Sequence, residues 1–237
     1  MSSRVWKQAW WMTKNDLWHD RFNWIWTFLF TVYTGLICGS LMHGAVENKG
    51  YTLLGDNMFL IFVPFLGFFF SRRSFRYLQE DSYTQMLAYM RRLPVPTVAI
   101  LWNRIIQMLI TFLINGLVFF SIIYLAGGKG LGLSGVLAFA VTWIAYGLFI
   151  NALFIFWEFS TSGKRYFVLM MIMFVICIGG ALVAAILDQN LIKITMQQSA
   201  AYGLLAPLMW GTLLVGAVSL AVSFKLTYKQ LLKRDLS

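Results

Sequence analysis

Six runs of apolar residues dominate this chain, at roughly 24–42, 53–70, 104–126, 135–157, 166–187 and 201–224. Each is close to the length of about 20 residues that a helix needs to cross the ~30 Å hydrocarbon core of a bilayer. A backbone in lipid has no water to bond, so such runs are confined to helices, whose peptide groups bond internally. The polar part of the chain is too small to coat a soluble particle. Of 237 residues, 59% are hydrophobic and only 12% charged, against about 25% charged in an ordinary soluble domain. The mean hydropathy is +0.71. The reading is an all-α integral membrane protein in a single transmembrane domain, 1–237. The second run is the weakest because it carries Asp56 and Pro64. Asp56 is expected at a membrane surface. The run at 24–42 reads as a retained span and not as a cleaved leader, since no small-residue cleavage site follows it.

The distribution of cations orients the spans. Arg4, Lys7, Lys14 and Arg21 precede the first run. Arg72, Arg73, Arg76, Arg91, Arg92 and Arg104 lie between the second and third. Lys164 and Arg165 separate the fourth from the fifth, and Lys225, Lys229, Lys233 and Arg234 follow the sixth. The alternate loops hold only Lys49, Lys129 and Lys193, a split of 16 to 3. Cytoplasmic loops carry the excess of Lys and Arg, so six spans with both termini in the cytoplasm are predicted, in the plasma membrane. The net charge of +10 then belongs to membrane topology. No basic motif stands apart from the apolar runs to bind nucleic acid.

The first 22 residues read as an amphipathic helix lying on the membrane. At 100° per residue, Val5, Trp6, Ala9, Trp10, Thr13 and Leu17 share one side, interrupted by Asp16, with Lys7 and Lys14 opposite. Tryptophans at headgroup depth and lysines toward phosphate suit membrane lipid. The long cytoplasmic loop, 71–103, is expected to hold a short helix. Leu93-Pro94-Val95-Pro96 ends it, because a residue before proline avoids helical dihedrals. Proline is tolerated in the first turn of a new helix, and Thr97 onward runs straight into the third span.

Several chemistries are excluded. No GxxxxGK[ST] occurs, so the chain carries no nucleotide-binding P-loop. Gly-Gly-Lys-Gly at 127–130 lacks the following Ser or Thr and reads as a turn. Gly-Leu-Ser-Gly at 132–135 imitates an intramembrane protease serine, but His19 and His43 are the only histidines and neither lies in the sixth run. A serine nucleophile needs a base within reach, so Ser134 reads as a polar helix start. Cys38 and Cys177 lie inside apolar runs without a histidine cluster and read as small core residues. No metal site is expected. Midplane charges, which mark ion-coupled transporters, are sparse. Asp56, Glu158 and Asp188 fall near the ends of runs, leaving Asn115 and Asn151 as the deep polar groups. These are candidates for a substrate pathway, although interhelical hydrogen bonds are the commoner role. Small residues let helices approach closely. Gly35 with Gly39, and Gly180 with Ala184, are therefore candidates for a seam between subunits or for packing within one.

Together, the interfacial helix, the six runs, the inward ends and the long loop ending in "RRLPVPTVAILWNR" (91–104) resemble the membrane subunit of type-2 ATP-binding-cassette exporters, of the small bacterial six-span kind. The resemblance covers the chain as topology and rests, as motif, on 71–104. It implies that the loop contains a coupling helix, with Leu78, Tyr83, Leu87, Arg91, Arg92 and Pro94 docking on a separate ATPase subunit. That partner would hold ATP and Mg, while this chain is not an enzyme and carries no cofactor. A second permease subunit, the same or related, would complete the pathway for an antibiotic, peptide or other small amphipathic cargo. The competing expectations are a membrane protein that moves no cargo, such as an immunity or assembly factor, and a secondary transporter.

Overall fold

The computed structural model describes residues 3–47, 49–69, 85, 89, 95–126 and 128–233. Among these, every regular element is helical: α1 (Ser3–His19), α2 (Asn23–Glu47), α3 (Lys49–Phe65), α4 (Thr97–Ala126), α5 (Gly132–Ser160), α6 (Gly163–Ile186), α7 (Leu191–Tyr202) and α8 (Pro207–Lys233), with 3-10 turns at Gly128–Leu131 and Gly203–Leu205. Five segments are long and apolar enough to cross a bilayer: Asn23–Met42, Thr97–Ala126, Gly132–Ser160, Gly163–Ile186 and Pro207–Leu232. This is the character of a multi-pass membrane protein.

The expected span at 53–70 takes a shorter form. Its apolar helical part is Thr52–Phe65, because Pro64 stands in the last turn of α3. Proline has no N–H to give the carbonyl four residues back, and that carbonyl, of Leu60, accepts instead from the Tyr146 hydroxyl of α5 at 2.9 Å. Beyond Phe65 the chain turns, with Leu66 N–H bonded to Val63 O and Gly67 N–H to Pro64 O. Leu66, Gly67 and Phe69 are buried among the neighbouring helices.

Two further boundaries differ from the sequence reading. The third span was placed at 104–126 with the chain running straight into it from Thr97, and its helix, α4, extends upstream of 104 to Thr97, directly after Pro96, whose carbonyl accepts from Ala99 N–H at 2.8 Å. The sixth was expected at 201–224, but α8 runs Pro207–Lys233. Gly203, at φ +50°, takes a backbone conformation that a side chain resists. Pro207 opens α8, the position where its missing N–H costs nothing. The segment between α6 and α8 holds α7, a helix the sequence reading did not anticipate.

Helices α2 and α4 run parallel, and so do α5 and α8. On α8, Gly216 lies against Ala145 of α5, and seven residues on the Ser223 hydroxyl donates to Ala152 O at 2.6 Å. A Cβ on Gly216 would meet the Ala145 carbonyl oxygen at 2.7 Å. A seven-residue step is two helical turns, so matching steps on both helices mark one continuous seam. The core between α3, α4 and α5 is aromatic. Phe59, Phe119, Phe139 and Trp143 pack edge-on or tilted at 5.0–6.3 Å, a geometry that sets ring edges against ring faces.

Candidate functional site

The end of the bundle that carries α1 is built around the first turns of α4. Ala9 and Thr13 are fully buried there, while Trp6 and Trp10 of the same face stay about half exposed, so only the middle of the apolar face of α1 is closed by protein. The Thr13 hydroxyl donates to Asn103 Oδ1 at 2.7 Å, and Asn103 Nδ2 donates to Asp16 Oδ2 at 3.1 Å. Asp16, which breaks the apolar stripe in sequence, is therefore part of the lock between α1 and α4. Trp6 meets Trp102 edge-on at 6.1 Å, and Trp102 meets Phe224 of α8 at 5.3 Å. One turn of α4 thus joins α1 to α8. Beside it, Arg104 Nε donates to Glu158 Oε2 at 2.8 Å, joining α4 to the last turn of α5, with side chains 16% and 11% exposed. Two charges at so low an exposure hold a fixed geometry, because separating them would leave both poorly solvated.

The residues expected to dock on an ATPase, Leu78, Tyr83, Leu87, Arg91, Arg92 and Pro94, lie outside the described residues. The remaining candidates are placed. Asn115 Nδ2 donates to Leu66 O at 3.0 Å. Asn151 Nδ2 donates to Pro64 O at 2.8 Å and Gly147 O at 2.9 Å. Both amides therefore serve the break after α3, where helix-end carbonyls lack intrahelical donors. These are the interhelical bonds named above as the commoner role of such amides. Gly35 and Gly39 face α4 of the same chain. A Cβ on Gly35 would meet Ile122 at 3.2 Å, and one on Gly39 would meet Ala126 Cβ at 2.8 Å. On α6 the pair divides: Ala184 is buried, while Gly180 has nothing within 4 Å of its Cβ position. The four small residues do not form one seam.

The opposite end holds Asp56, which is 1% exposed and enclosed by protein. Its carboxylate accepts from Leu191 N–H at 2.8 Å and Ile192 N–H at 3.0 Å, the first two residues of α7. Asn190 caps the third, accepting from Lys193 N–H at 2.8 Å. The preceding end of α6 closes through Asp188 at φ +53°, with Gln189 N–H bonded to Ala184 O and Asp188 N–H to Ala185 O, the reciprocal pattern of a left-handed helix cap. A carboxylate at a helix N-terminus is favoured by the unpaired N–H groups and by the helix dipole. The signal present in sequence was Asp-Gln-Asn at 188–190, a run of capping residues. We expect Asp56→Ala to release the start of α7 at a cost of about 2–3 kcal/mol, since hydrogen bonds to a charged group are worth about 1.5–3 kcal/mol each. Amide hydrogen exchange at Leu191–Lys193 should rise sharply while the core of α5 stays protected. Unchanged exchange there would remove Asp56 from this role.

Among the described residues, no group of three His, Cys, Asp or Glu side chains stands close enough to hold a metal ion. Cys38 and Cys177 are buried and free. Ser134 lies in the first turn of α5. Comparison of the chain with protein-family models, with curated proteins and with solved structures finds no match to any of them.

Proposed function

We propose that the chain is the membrane subunit of an ATP-driven exporter of the plasma membrane. It has six spans and cytoplasmic termini, and works with a separate ATPase that binds ATP and Mg and with a second permease subunit. The observation that carries this reading is α4. It starts immediately after Pro96 and continues unbroken for 30 residues, about 45 Å at 1.5 Å per residue. That exceeds the ~30 Å of hydrocarbon. A rigid helix of this length carries displacement at the 71–103 loop into the bundle. The lock through Thr13, Asn103 and Asp16 makes α1 move with it, and the Arg104–Glu158 pair passes the load to α5. The loop residues Leu78, Tyr83, Leu87, Arg91, Arg92 and Pro94 supply the docking surface in this reading. Gly180 is the candidate that remains for a contact with the second subunit.

Single cysteines at positions 83, 87 and 91 are expected to cross-link to an ATPase subunit, with a yield that nucleotide changes. Tyr83→Ala combined with Leu87→Ala should uncouple ATP hydrolysis from transport and leave the membrane fold intact. If none of the three positions cross-links under any nucleotide condition, the loop is a connector. Orientation has its own check. Cysteines at 49, 129 and 193 should react with an impermeant thiol reagent applied to intact cells, and those at 85, 164 and 230 should not. Labelling at 85 would sink the six-span arrangement.

A second reading, a membrane protein that moves no cargo, is favoured by one observation. Asn115 and Asn151 are both committed to backbone carbonyls at the end of α3 and in the turn after it, which leaves the amides expected to line a pathway engaged inside the chain. Copurification separates the readings: an exporter subunit retains an ATPase bearing P-loop motifs, and an immunity or assembly factor does not.

A further inference from the structure

We propose that the cleft between α1, the start of α2 and α4 is a binding site for one anionic phospholipid. The cleft encloses about 370 Å³, within the range of roughly 300–1,000 Å³ typical of small-molecule sites. Its walls are Trp10 and Leu17 of α1, Trp24 of α2 and Ile110 of α4, and its rim carries Lys14 and Arg21. The division of chemistry is that of a lipid: an apolar interior for acyl chain and a cationic rim for phosphate.

The charges at the rim favour an anion. Lys14 is exposed, and no described residue forms an ion pair or hydrogen bond with its ammonium group. Arg21 lies over the rings of Trp18 and Phe22, at 5.4 and 5.2 Å, which holds the guanidinium without neutralising it. The two carboxylates of this stretch accept from amides, Asp16 from Asn103 and Asp20 from Asn23, and among the described residues neither forms an ion pair with Lys14 or Arg21. Depth is consistent as well. Ile110 lies seven residues beyond Asn103, about 10 Å further along α4, so the apolar wall extends away from the level at which α1 is locked. Trp18, 69% exposed, sits beside the rim, where an amphipathic ring suits the headgroup layer.

The test uses the detergent-purified full chain in native mass spectrometry, with equal amounts of phosphatidylglycerol and phosphatidylcholine bearing the same acyl chains. One phosphatidylglycerol adduct should be retained in about tenfold preference over phosphatidylcholine. Juxtamembrane cations each add substantially to anionic-lipid affinity, so Lys14→Gln with Arg21→Gln should lower that adduct about tenfold. Both residues are exposed, and the double variant should keep the parent's thermal unfolding. Lys225→Gln with Lys229→Gln, an equal loss of charge elsewhere, should leave the adduct intact. Excess inorganic phosphate should not displace it, since the apolar wall contributes nothing to phosphate alone. Four results would each overturn the proposal: equal retention of the two lipids, retention by the Lys14/Arg21 variant, equal loss in the Lys225/Lys229 variant, or displacement by phosphate. The lipid-preference and phosphate results need no variant, so they stand even if a substituted chain is unstable.

Discussion

Replacing Gly216 with leucine is expected to separate α8 from α5 and to leave little folded protein in the membrane. The first added carbon would already stand 2.7 Å from the Ala145 carbonyl oxygen. That oxygen is backbone in the middle of a helix and has no rotamer with which to yield. Overpacking a close contact typically costs about 1–3 kcal/mol and occasionally more. Here the two helices must move apart, and the bond from Ser223 to Ala152 O, one step along the same seam, would be lost with them. Gly216→Ala should be milder in degree and the same in sign. The comparison position is Gly180, which has open space around it: Gly180→Leu should leave thermal unfolding of the isolated subunit unchanged. Unfolding followed by tryptophan fluorescence in detergent measures both. A Gly216→Leu protein as stable as the parent would show that the seam is not a structural contact.

The second large effect concerns Arg104 and Glu158. Arg104→Met should destabilise by about 2–4 kcal/mol, because it leaves the Glu158 carboxylate at low exposure without its guanidinium. The range is below the 3–5 kcal/mol seen when a fully buried pair is broken, as both side chains retain some access to water. Glu158→Gln removes the opposing charge and keeps a polar acceptor. Adding it to Arg104→Met should recover much of the loss, so that the double variant is more stable than Arg104→Met alone. A double-mutant cycle on urea or thermal unfolding reads this coupling directly. Additive effects would mean that the two charges do not depend on each other. Because Arg104 is one of the cations from which the proposed orientation is read, thiol labelling at position 193 should accompany each variant as a check that topology is unchanged.

Apolar run length and the placement of proline and asparagine made much of the architecture legible before any coordinates. The apolar runs predict long helices because lipid leaves the backbone no other way to satisfy its polar groups, and five such helices are present. Pro64 marked the weak second run, and it is where α3 ends. Asn115 and Asn151 stood out as deep polar groups whose commoner role is to bond between helices, and they do so. All of these signals are local: a run length, a missing N–H, a polar side chain in an apolar stretch.

What only the tertiary structure decided is which surfaces meet. Gly35, Gly39, Gly180 and Ala184 look alike as small residues spaced along helices, yet two face α4, one faces inward on α6 and one faces open space. Gly216 drew no notice in sequence and makes a closer approach to backbone than the other glycines whose surroundings are described. Asp56 was expected at a membrane surface because a carboxylate in an apolar run is costly, and the partners that bury it were not legible in sequence. Its cost is offset by the N-terminus of α7, a helix 135 residues away in the chain. Asp16 read as a blemish and is part of a lock for the same reason. Hydropathy records what a residue prefers on average, whereas a buried polar group is decided by the one partner within 3 Å, and that partner belongs to a distant part of the chain.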